Sequence, residues 1–343
     1  MNTISSTFKE MTYTAVGGTD RGASTGLSAV LLNRTGRYPR RTLFQELEKT
    51  GFDYIISMEG PRERYDIEDL SGRFPQVRFI LLKENITYGE QINIAANELS
   101  SPLFFTLWND LRILHSGGAS RMAERLALGQ DDLQKTDAYR RLCTVPLIQN
   151  SRFETLPTLV APALFHGSVK TLAFFPIAEG KPSLYPFDWV GVYDRERFVR
   201  LGGFDVTISR AYWQLMDFGF RAHLWGEEIL STQLIRVSYD GEVPSGDITS
   251  DESYRRFFLK NIAPIFRGDS AYLPFSRFFP YCLRSKGNIW TLRNEFLAIR
   301  RWVKENSFRF KYDVRAITEL WDDFSEDLLP PEIPSANDVK DGI

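Results

Sequence analysis

Short apolar runs alternate with segments of helical periodicity through the first third of the chain. Runs of about five or six apolar residues suit buried strands, whereas one-sided spacing over a longer segment indicates a helix. We predict strands and helices at the following positions: strands Leu27–Leu32, Tyr54–Met58, Val77–Leu82 and a run that ends at Asp110, and helices Pro39–Thr50 and Gln91–Leu99. Alternation with connections this short predicts an α/β fold around a parallel, doubly wound sheet.

The composition argues against several function classes. A formal net charge of −2 gives no basic field, so nucleic acid is not an expected partner. Cys143 and Cys282 are the only cysteines, which argues against a disulfide framework and favours a reducing compartment. The 3 histidines lie far apart in sequence and do not form the usual zinc spacing patterns.

No run approaches the roughly 20 apolar residues of a membrane span, and the N-terminus lacks the layout of a signal peptide. We therefore expect a cytoplasmic protein. The C-terminal third is rich in aromatic and basic residues, so peripheral contact with the inner face of a membrane stays an open alternative. The oligomeric state is left open.

The run from Leu103 to Ile113 carries the most informative carboxylate. Five of its first six residues are apolar, Asn109 and Asp110 follow, and Arg112 comes shortly after. Open α/β sheets bind ligands at the carboxyl edge of their strands, and a carboxylate there suits a divalent cation that bridges to phosphates. The alternative is that Asp110 is only a polar residue that ends a strand.

The second half of the chain is predicted to continue the alternation. Its expected elements are a helix over 118–140, strands at Leu142–Ile148 and Trp189–Tyr193, and helices at Arg195–Leu201 and Tyr212–Leu224. The stretch 150–186 holds several prolines and is predicted to be a long loop over a site. Residues 289–324 have the periodicity of one or two long amphipathic helices.

Three blocks, in this order, resemble family 2-type glycosyltransferases with the GT-A fold. Asn85, Gly89, Asn93 and the triplet Trp108-Asn109-Asp110 match the family's two asparagines and its Asp-x-Asp motif. Asp194–Phe198 with Leu201–Asp205 looks like the block near the acceptor site, and Asp217–Gly226 is similar to a later helix. The resemblance covers about residues 27–240. Three features depart from it. Trp108 replaces the first acid of Asp-x-Asp, and Thr87 stands where the family has a glycine two residues after Asn85, with Gly89 in its place. Gln214-Leu215 replaces the acidic pair that supplies the base.

The resemblance implies a mostly parallel central sheet flanked by helices, with a helical C-terminal extension. The expected units are an arm at 1–25, a GT-A domain at 26–245, the extension at 246–328 and a disordered tail at 329–343. The GT-A domain would divide into a nucleotide-sugar half at 26–115 and an acceptor half at 116–245. The implied activity is transfer of a sugar from a nucleotide-diphosphate sugar to a glycan or lipid-linked acceptor, in polysaccharide biosynthesis. Inversion and a divalent cation, Mn²⁺ or Mg²⁺, are implied as well.

Roles follow residue by residue. Asp110 is expected to hold the metal, and Asp217 and Asp205 are the candidate catalytic residues. The expected nucleotide-sugar contacts are Asn33, Arg34, Glu59, Asn85, Asn93, Trp108, Asn109 and Arg112. The expected acceptor contacts are Trp189, Gly203, Phe204 and Arg221. Two alternatives stay open: a non-catalytic protein of the same fold that binds nucleotide or glycan, or scaffolds other glycosyltransferases, and, ranked last, a nucleotidyltransferase.

Overall fold

The computed structural model describes residues 13–19, 24–34, 40–61, 66–114, 118–131, 141–165, 168–241, 247–249, 251–268, 270–285, 287–319 and 321. The strands among them are β1 (Tyr13–Gly17), β2 (Leu27–Leu32), β3 (Ile55–Glu59), β4 (Val77–Leu82), β5 (Leu103–Trp108), β6 (Leu111–Leu114), β7 (Arg141–Gln149), β8 (Leu159–Phe165), β9 (Ser168–Phe174), β10 (Gly191–Asp194), β11 (Glu228–Tyr239), β12 (Ile265–Arg267) and β13 (Ser270–Tyr272). The α-helices are α1 (Arg40–Thr50), α2 (Ile67–Arg73), α3 (Tyr88–Glu98), α4 (Ala119–Asp131), α5 (Arg195–Leu201), α6 (Ala211–Leu224), α7 (Glu252–Phe257), α8 (Phe278–Arg284), α9 (Ile289–Glu305) and α10 (Val314–Glu319). A π-helical turn, Phe258–Ile262, continues α7.

One large sheet organises the described residues, with the strand order β1-β4-β3-β2-β5-β10-β7-β11-β6. Strands β4, β3, β2 and β5 are parallel neighbours, and β7 pairs in parallel with β11. Strand β10 lies antiparallel between β5 and β7. Every residue of β2 is buried, as expected for a central strand whose two faces are both covered by helices. The expected α/β fold class, with a mostly parallel central sheet flanked by helices, is confirmed.

Most predicted boundaries agree with the structure to within a few residues. Strands β2 and β4 have the predicted limits, whereas α3 begins earlier than predicted, at Tyr88. The side chain of Thr87 caps α3 by accepting a hydrogen bond from the Glu90 amide at 3.2 Å, which explains the earlier start. The N-terminal arm contributes β1, an added antiparallel strand beside β4. Residues 1–12, 20–23 and Pro39 lie outside the described residues.

The prediction of a long loop over 150–186 is wrong. Strands β8 and β9 form a separate antiparallel hairpin within it, and Pro162 is paired with Thr171. Prolines usually interrupt strands, but in a two-stranded ribbon both strands are edges. A proline is tolerated on an edge because its missing N–H need not face a partner strand.

The predicted strand ending at Asp110 is divided in two. Strand β5 stops at Trp108, and β6 begins at Leu111. Strand β11 has a register shift between Thr232 and Arg236, and its last residues pair with β6. Such irregularities bend a strand, and the Asp240 amide donates a 2.8 Å hydrogen bond to the carbonyl of Asp110. The end of β11 is thereby held against the turn that contains Asp110.

The C-terminal extension has a small core of its own, which includes Leu292, Phe296, Ile299 and Val303 of α9. Trp302 packs against both this core and the main one around the sheet. The helical content expected for the extension is present, while the predicted domain limits stay predictions. Among the described residues, no helix combines the length and the apolar character needed to cross a membrane.

Candidate functional site

A cleft of about 320 Å³ opens beyond the carboxyl ends of β2, β3 and β4. Segments that follow these strands line it together with the first residues of α3 and α6 and the segment before β10. The lining includes Asn33, Met58, Gly60, Glu84, Asn85, Thr87, Tyr88, Trp189, Ser209 and Gln214. This is the edge at which open α/β sheets bind ligands.

Arg34 is the centre of a charged cluster beside the cleft. Its guanidinium forms an ion pair with Asp188, and its Nε lies 3.8 Å from Oδ2 of Asp110. The Cζ atom sits 4.0 Å from the centroid of the Trp108 ring, a cation–π geometry. Asn109 fixes the backbone of Arg34 from both sides: its Oδ1 accepts from the Arg34 amide at 3.1 Å, and its Nδ2 donates to the Arg34 carbonyl at 3.3 Å.

Asp188 is a member of this cluster that sequence analysis missed. Its carboxylate also accepts a 2.7 Å hydrogen bond from the hydroxyl of Tyr239, and its carbonyl accepts from the indole of Trp108 at 2.8 Å. The backbone is strained here, since φ is 53° at Asp188 and 59° at Trp189, values that bulky residues seldom adopt. The available signal was an acid between two aromatic residues, Phe187 and Trp189, just before a strand.

The carboxylate of Asp110 is buried and incompletely satisfied. The residue is 3% exposed, and its Oδ1 has no hydrogen-bond partner among the described residues. Burial raises the pKa of the Asp110 carboxyl above its usual value, and the charge of Arg34 offsets only part of this effect. A buried carboxylate oxygen without a partner is one that a ligand can satisfy.

Three aromatic rings connect the charged cluster to the cleft. Tyr88 and Trp189 line the cleft, and the Trp108 ring contacts both, with centroid distances of 4.7 Å and 6.1 Å. Trp108 is 1% exposed, so its ring supports the wall rather than facing the cavity. The cleft and the charged cluster are therefore two neighbouring parts of one site.

The other predicted nucleotide contacts at this edge divide between cleft and interior. Asn33 lines the cleft and donates to the carbonyl of Met58 at 2.7 Å, and Asn85 also lines it. Glu59 is fully buried, where Arg40 at 2.5 Å and the hydroxyl of Ser57 at 2.6 Å hold its carboxylate. Glu59 therefore supports the end of β3 from within.

Asn93 and the Gly-Gly-Phe-Asp turn hold each other. The Asn93 side chain donates to the Phe204 carbonyl at 2.8 Å and accepts from the Phe204 amide at 2.9 Å. A Cβ on Gly203, whose φ is 62°, would lie 2.3 Å from Oδ1 of Asn93, so only glycine fits. The Phe204 ring stacks on Phe218 in the core at 4.3 Å. The geometry of Asn93, Gly203 and Phe204 supports a structural role for all three.

The two candidate catalytic residues, Asp205 and Asp217, lie in a buried ionic network. Lys260 is 2.7 Å from Oδ2 of Asp205 and 2.8 Å from Oδ1 of Asp217. Arg221 pairs with Asp217 at 2.9 Å and donates to two carbonyl groups of the preceding turn, those of Leu201 and Gly203. The Asp217 side chain is 0% exposed. No acceptor hydroxyl can reach Asp217 in this arrangement.

The electrostatic surroundings of Asp205 also disfavour a role as general base. Burial alone raises the pKa of the Asp205 carboxyl, but Lys260, Arg256 and the hydroxyl of Thr207 together hold that pKa well below its usual range. A carboxylate with so low a pKa accepts a proton poorly near neutral pH.

Arg112 completes the predicted set, and Gln214 stands at the position of the missing acidic pair. Gln214 lines the cleft where the resemblance would have an acid, with its Oε1 accepting from the Gly89 amide at 3.2 Å and its Nε2 donating to Thr87 at 3.0 Å. Arg112 lies on β6 and pairs with Asp240 at 2.7 Å, and both side chains are largely exposed. Its contact with a diphosphate stays a prediction.

The fold is that of an α/β protein with a cleft at the carboxyl edge of its parallel strands. No family model matches the chain. No curated protein matches it either.

Solved structures that are similar to the chain include the following three. One is GalNAc-T7 with UDP, GalNAc and Mn²⁺, at 15% identity, 81% of this chain, 56% of that chain and a TM-score of 0.46. Another is TarS of S. aureus, at 10% identity, 84% of this chain, 44% of that chain and a TM-score of 0.45. The third is the mannosyltransferase PcManGT from Pyrobaculum calidifontis with GDP-Man and Mn²⁺, at 10% identity, 84% of this chain, 73% of that chain and a TM-score of 0.40. The chain spans about half the length of the first two. At identities of 10–15% and TM-scores below 0.5, these similarities carry no conclusion about activity.

Proposed function

We propose that the chain is a glycosyltransferase that moves a sugar from a nucleotide-diphosphate sugar to a glycan or lipid-linked acceptor, with inversion. The observation that carries the proposal is the charged cluster of Arg34, Asp110 and Asp188 at the carboxyl edge of the sheet, beside a cleft of about 320 Å³. The cleft would take the nucleotide, in contact with Asn33 and Asn85, and the cluster would face the diphosphate.

One feature of the charged cluster, the Asp110 carboxylate, fits a divalent cation such as Mn²⁺ or Mg²⁺. The Oδ1 atom of Asp110 is a buried carboxylate oxygen without a hydrogen-bond partner among the described residues, and hard cations take such oxygens as ligands. No group of three His, Cys, Asp or Glu side chains in the described residues could hold a metal by itself. Asp110 would therefore hold the cation together with donor phosphate oxygens and water. A bound cation neutralises charge on the leaving diphosphate.

Arg34 would supply a second positive charge at the same place. A guanidinium forks onto phosphate oxygens, and Asn109 and Trp108 already fix its position. Asp188 would orient Arg34 through the ion pair between them.

Titration of the purified chain with nucleotide sugars, with and without Mn²⁺, tests the proposal. We expect one nucleotide sugar to raise the melting temperature in a concentration-dependent way, because a ligand that binds only the folded state stabilises it. Asp110→Ala should abolish the part of this rise in melting temperature that depends on Mn²⁺. The proposal is refuted if no nucleotide sugar is bound or hydrolysed with either cation.

A second candidate function is nucleotide-sugar binding without turnover. The observation that favours it is Gln214, an amide held by three protein partners where the resemblance would have an acid. Asp205 and Asp217 are bound in ion pairs nearby. Saturable binding with no sugar release, unchanged by Asp217→Asn in a folded variant, would favour this candidate.

A further inference from the structure

An exposed apolar surface lies in the C-terminal extension, within residues 275–290. Its members are Phe275, Phe279, Leu283, Ile289 and Trp290, which are 46%, 65%, 88%, 60% and 68% exposed. We call these five side chains the apolar patch. Single exposed apolar residues are ordinary, but five large ones within so short a stretch of sequence indicate an interaction surface.

The patch lies on helices that are packed by their other faces. The Tyr281 hydroxyl of α8 donates to Glu295 of α9 at 2.5 Å, and the rings of Phe278 and Phe296 are 5.3 Å apart. Phe279 and Leu283 are four residues apart on α8 and so share its outward face. The exposed side chains are therefore displayed by an ordered part of the fold.

The patch coincides with a basic stretch of sequence. Between Asp269 and Glu295 the chain has no acidic residue, and its basic residues there are Arg277, Arg284, Lys286 and Arg293. The three arginines are exposed. The chain as a whole has a formal net charge of −2, so this positive charge is local.

We propose that the apolar patch and the arginines Arg277, Arg284 and Arg293 dock the chain on an anionic lipid bilayer. Aromatic and aliphatic side chains enter the boundary between headgroups and acyl chains, while neighbouring arginines meet the lipid phosphates. Protein interfaces instead deplete charge at their centre and bury their anchors in pockets. Leu283, at 88% exposed, protrudes from the surface rather than lining a groove. The proposal goes beyond the transferase function and does not depend on it.

Flotation of the full chain with lipid vesicles tests the docking surface. Phe279→Ser/Leu283→Ser should weaken binding to vesicles that contain phosphatidylglycerol by at least about tenfold, because both substitutions remove apolar area that the bilayer would bury. Trp290→Ser gives an independent variant on α9. The matched control is Phe153→Ser, since Phe153 is 64% exposed and follows β7, outside the patch.

The charge is tested separately. Arg277→Gln/Arg284→Gln/Arg293→Gln should weaken binding to the anionic vesicles by at least about tenfold, whereas Arg152→Gln, also exposed, should leave it unchanged. Wild-type chain should bind phosphatidylcholine vesicles far less well, and added salt should release it from anionic ones. Absence of wild-type binding, equal binding to both vesicle types, or full binding by the apolar double variant would each overturn the proposal.

Discussion

Arg34 and Trp108 are in a cation–π contact, with the guanidinium carbon 4.0 Å from the ring centroid. Trp108 occupies the position at which the resembled family has the first acid of its Asp-x-Asp motif. The substitution therefore puts an aromatic face under an arginine where a carboxylate would otherwise face a cation. Positive charge is provided by the chain itself, and Asp110 and Asp188 balance it.

Arg34→Met tests whether this guanidinium supplies part of the positive charge that a bound cation would otherwise supply. The variant leaves two largely buried carboxylates without their counter-ion, so the free energy of unfolding should fall by about 3 kcal/mol. Mn²⁺ should then raise the melting temperature of the variant more than that of the wild type, because the cation relieves the repulsion. The measurement is thermal unfolding with and without Mn²⁺, with Arg41→Met, an exposed arginine on α1, as control. An equal response to Mn²⁺ in both proteins would contradict the idea.

Asp110→Asn should stabilise the ligand-free chain while weakening donor binding. The folded pKa of Asp110 is raised, so its ionised form is disfavoured in the folded state, and a neutral isostere removes this cost. The advantage of the variant should be largest near pH 7. It should vanish as the pH falls through the raised pKa towards the ordinary value of 3.8, because the wild-type carboxyl is then protonated as well. Urea unfolding of both proteins at several pH values measures the difference in their free energies of unfolding. A difference that does not change with pH would refute the raised pKa of Asp110.

Gln214→Glu should destabilise the chain although the two side chains have nearly the same shape. Nε2 of Gln214 donates to the hydroxyl of Thr87 and to the carbonyl of Asp205, both at 3.0 Å. A glutamate would set an acceptor oxygen against that carbonyl and bury a charge, which should cost about 2–4 kcal/mol. Chemical denaturation checks this, with Gln45→Glu on the exposed face of α1 as the control. Equal losses of stability in the two variants would argue against a structural role for the amide.

Lys260→Met should destabilise the fold where the extension meets the sheet domain. Lys260 is the shared counter-ion of Asp205 and Asp217, and its Nζ also lies 4.4 Å from the centroid of the Trp302 ring. Without it, two buried carboxylates lose a partner, and unfolding should become easier by about 3–5 kcal/mol. Lys304→Met, at an exposed position of α9, should change stability by less than about 0.5 kcal/mol. Unfolding monitored by tryptophan fluorescence compares the two variants. Similar unfolding midpoints would contradict the role of Lys260 in the ionic network.

Local pattern was sufficient for much of the architecture. Buried runs such as Leu27–Leu32 and Val77–Leu82 are separated by amphipathic segments. They predict parallel strands, because a strand that is covered on both faces is apolar throughout and does not alternate with polar residues. The end of one such run also predicts that Asp110 lies at the binding edge of the sheet. The sequence could therefore indicate the fold class and the neighbourhood of the site.

The contents of the site were decided by contacts between residues distant in sequence. Arg34, Asp110, Asp188 and Tyr239 meet where the end of β11 pairs with β6 and where Trp108 holds the strained turn before β10. Likewise, Asp217 has the sequence context of a general base, and only the packing of the extension brings Lys260 against it. Hydrophobic periodicity is a local property and is readable in the chain, whereas the pairing of buried charges depends on which elements the finished fold places side by side.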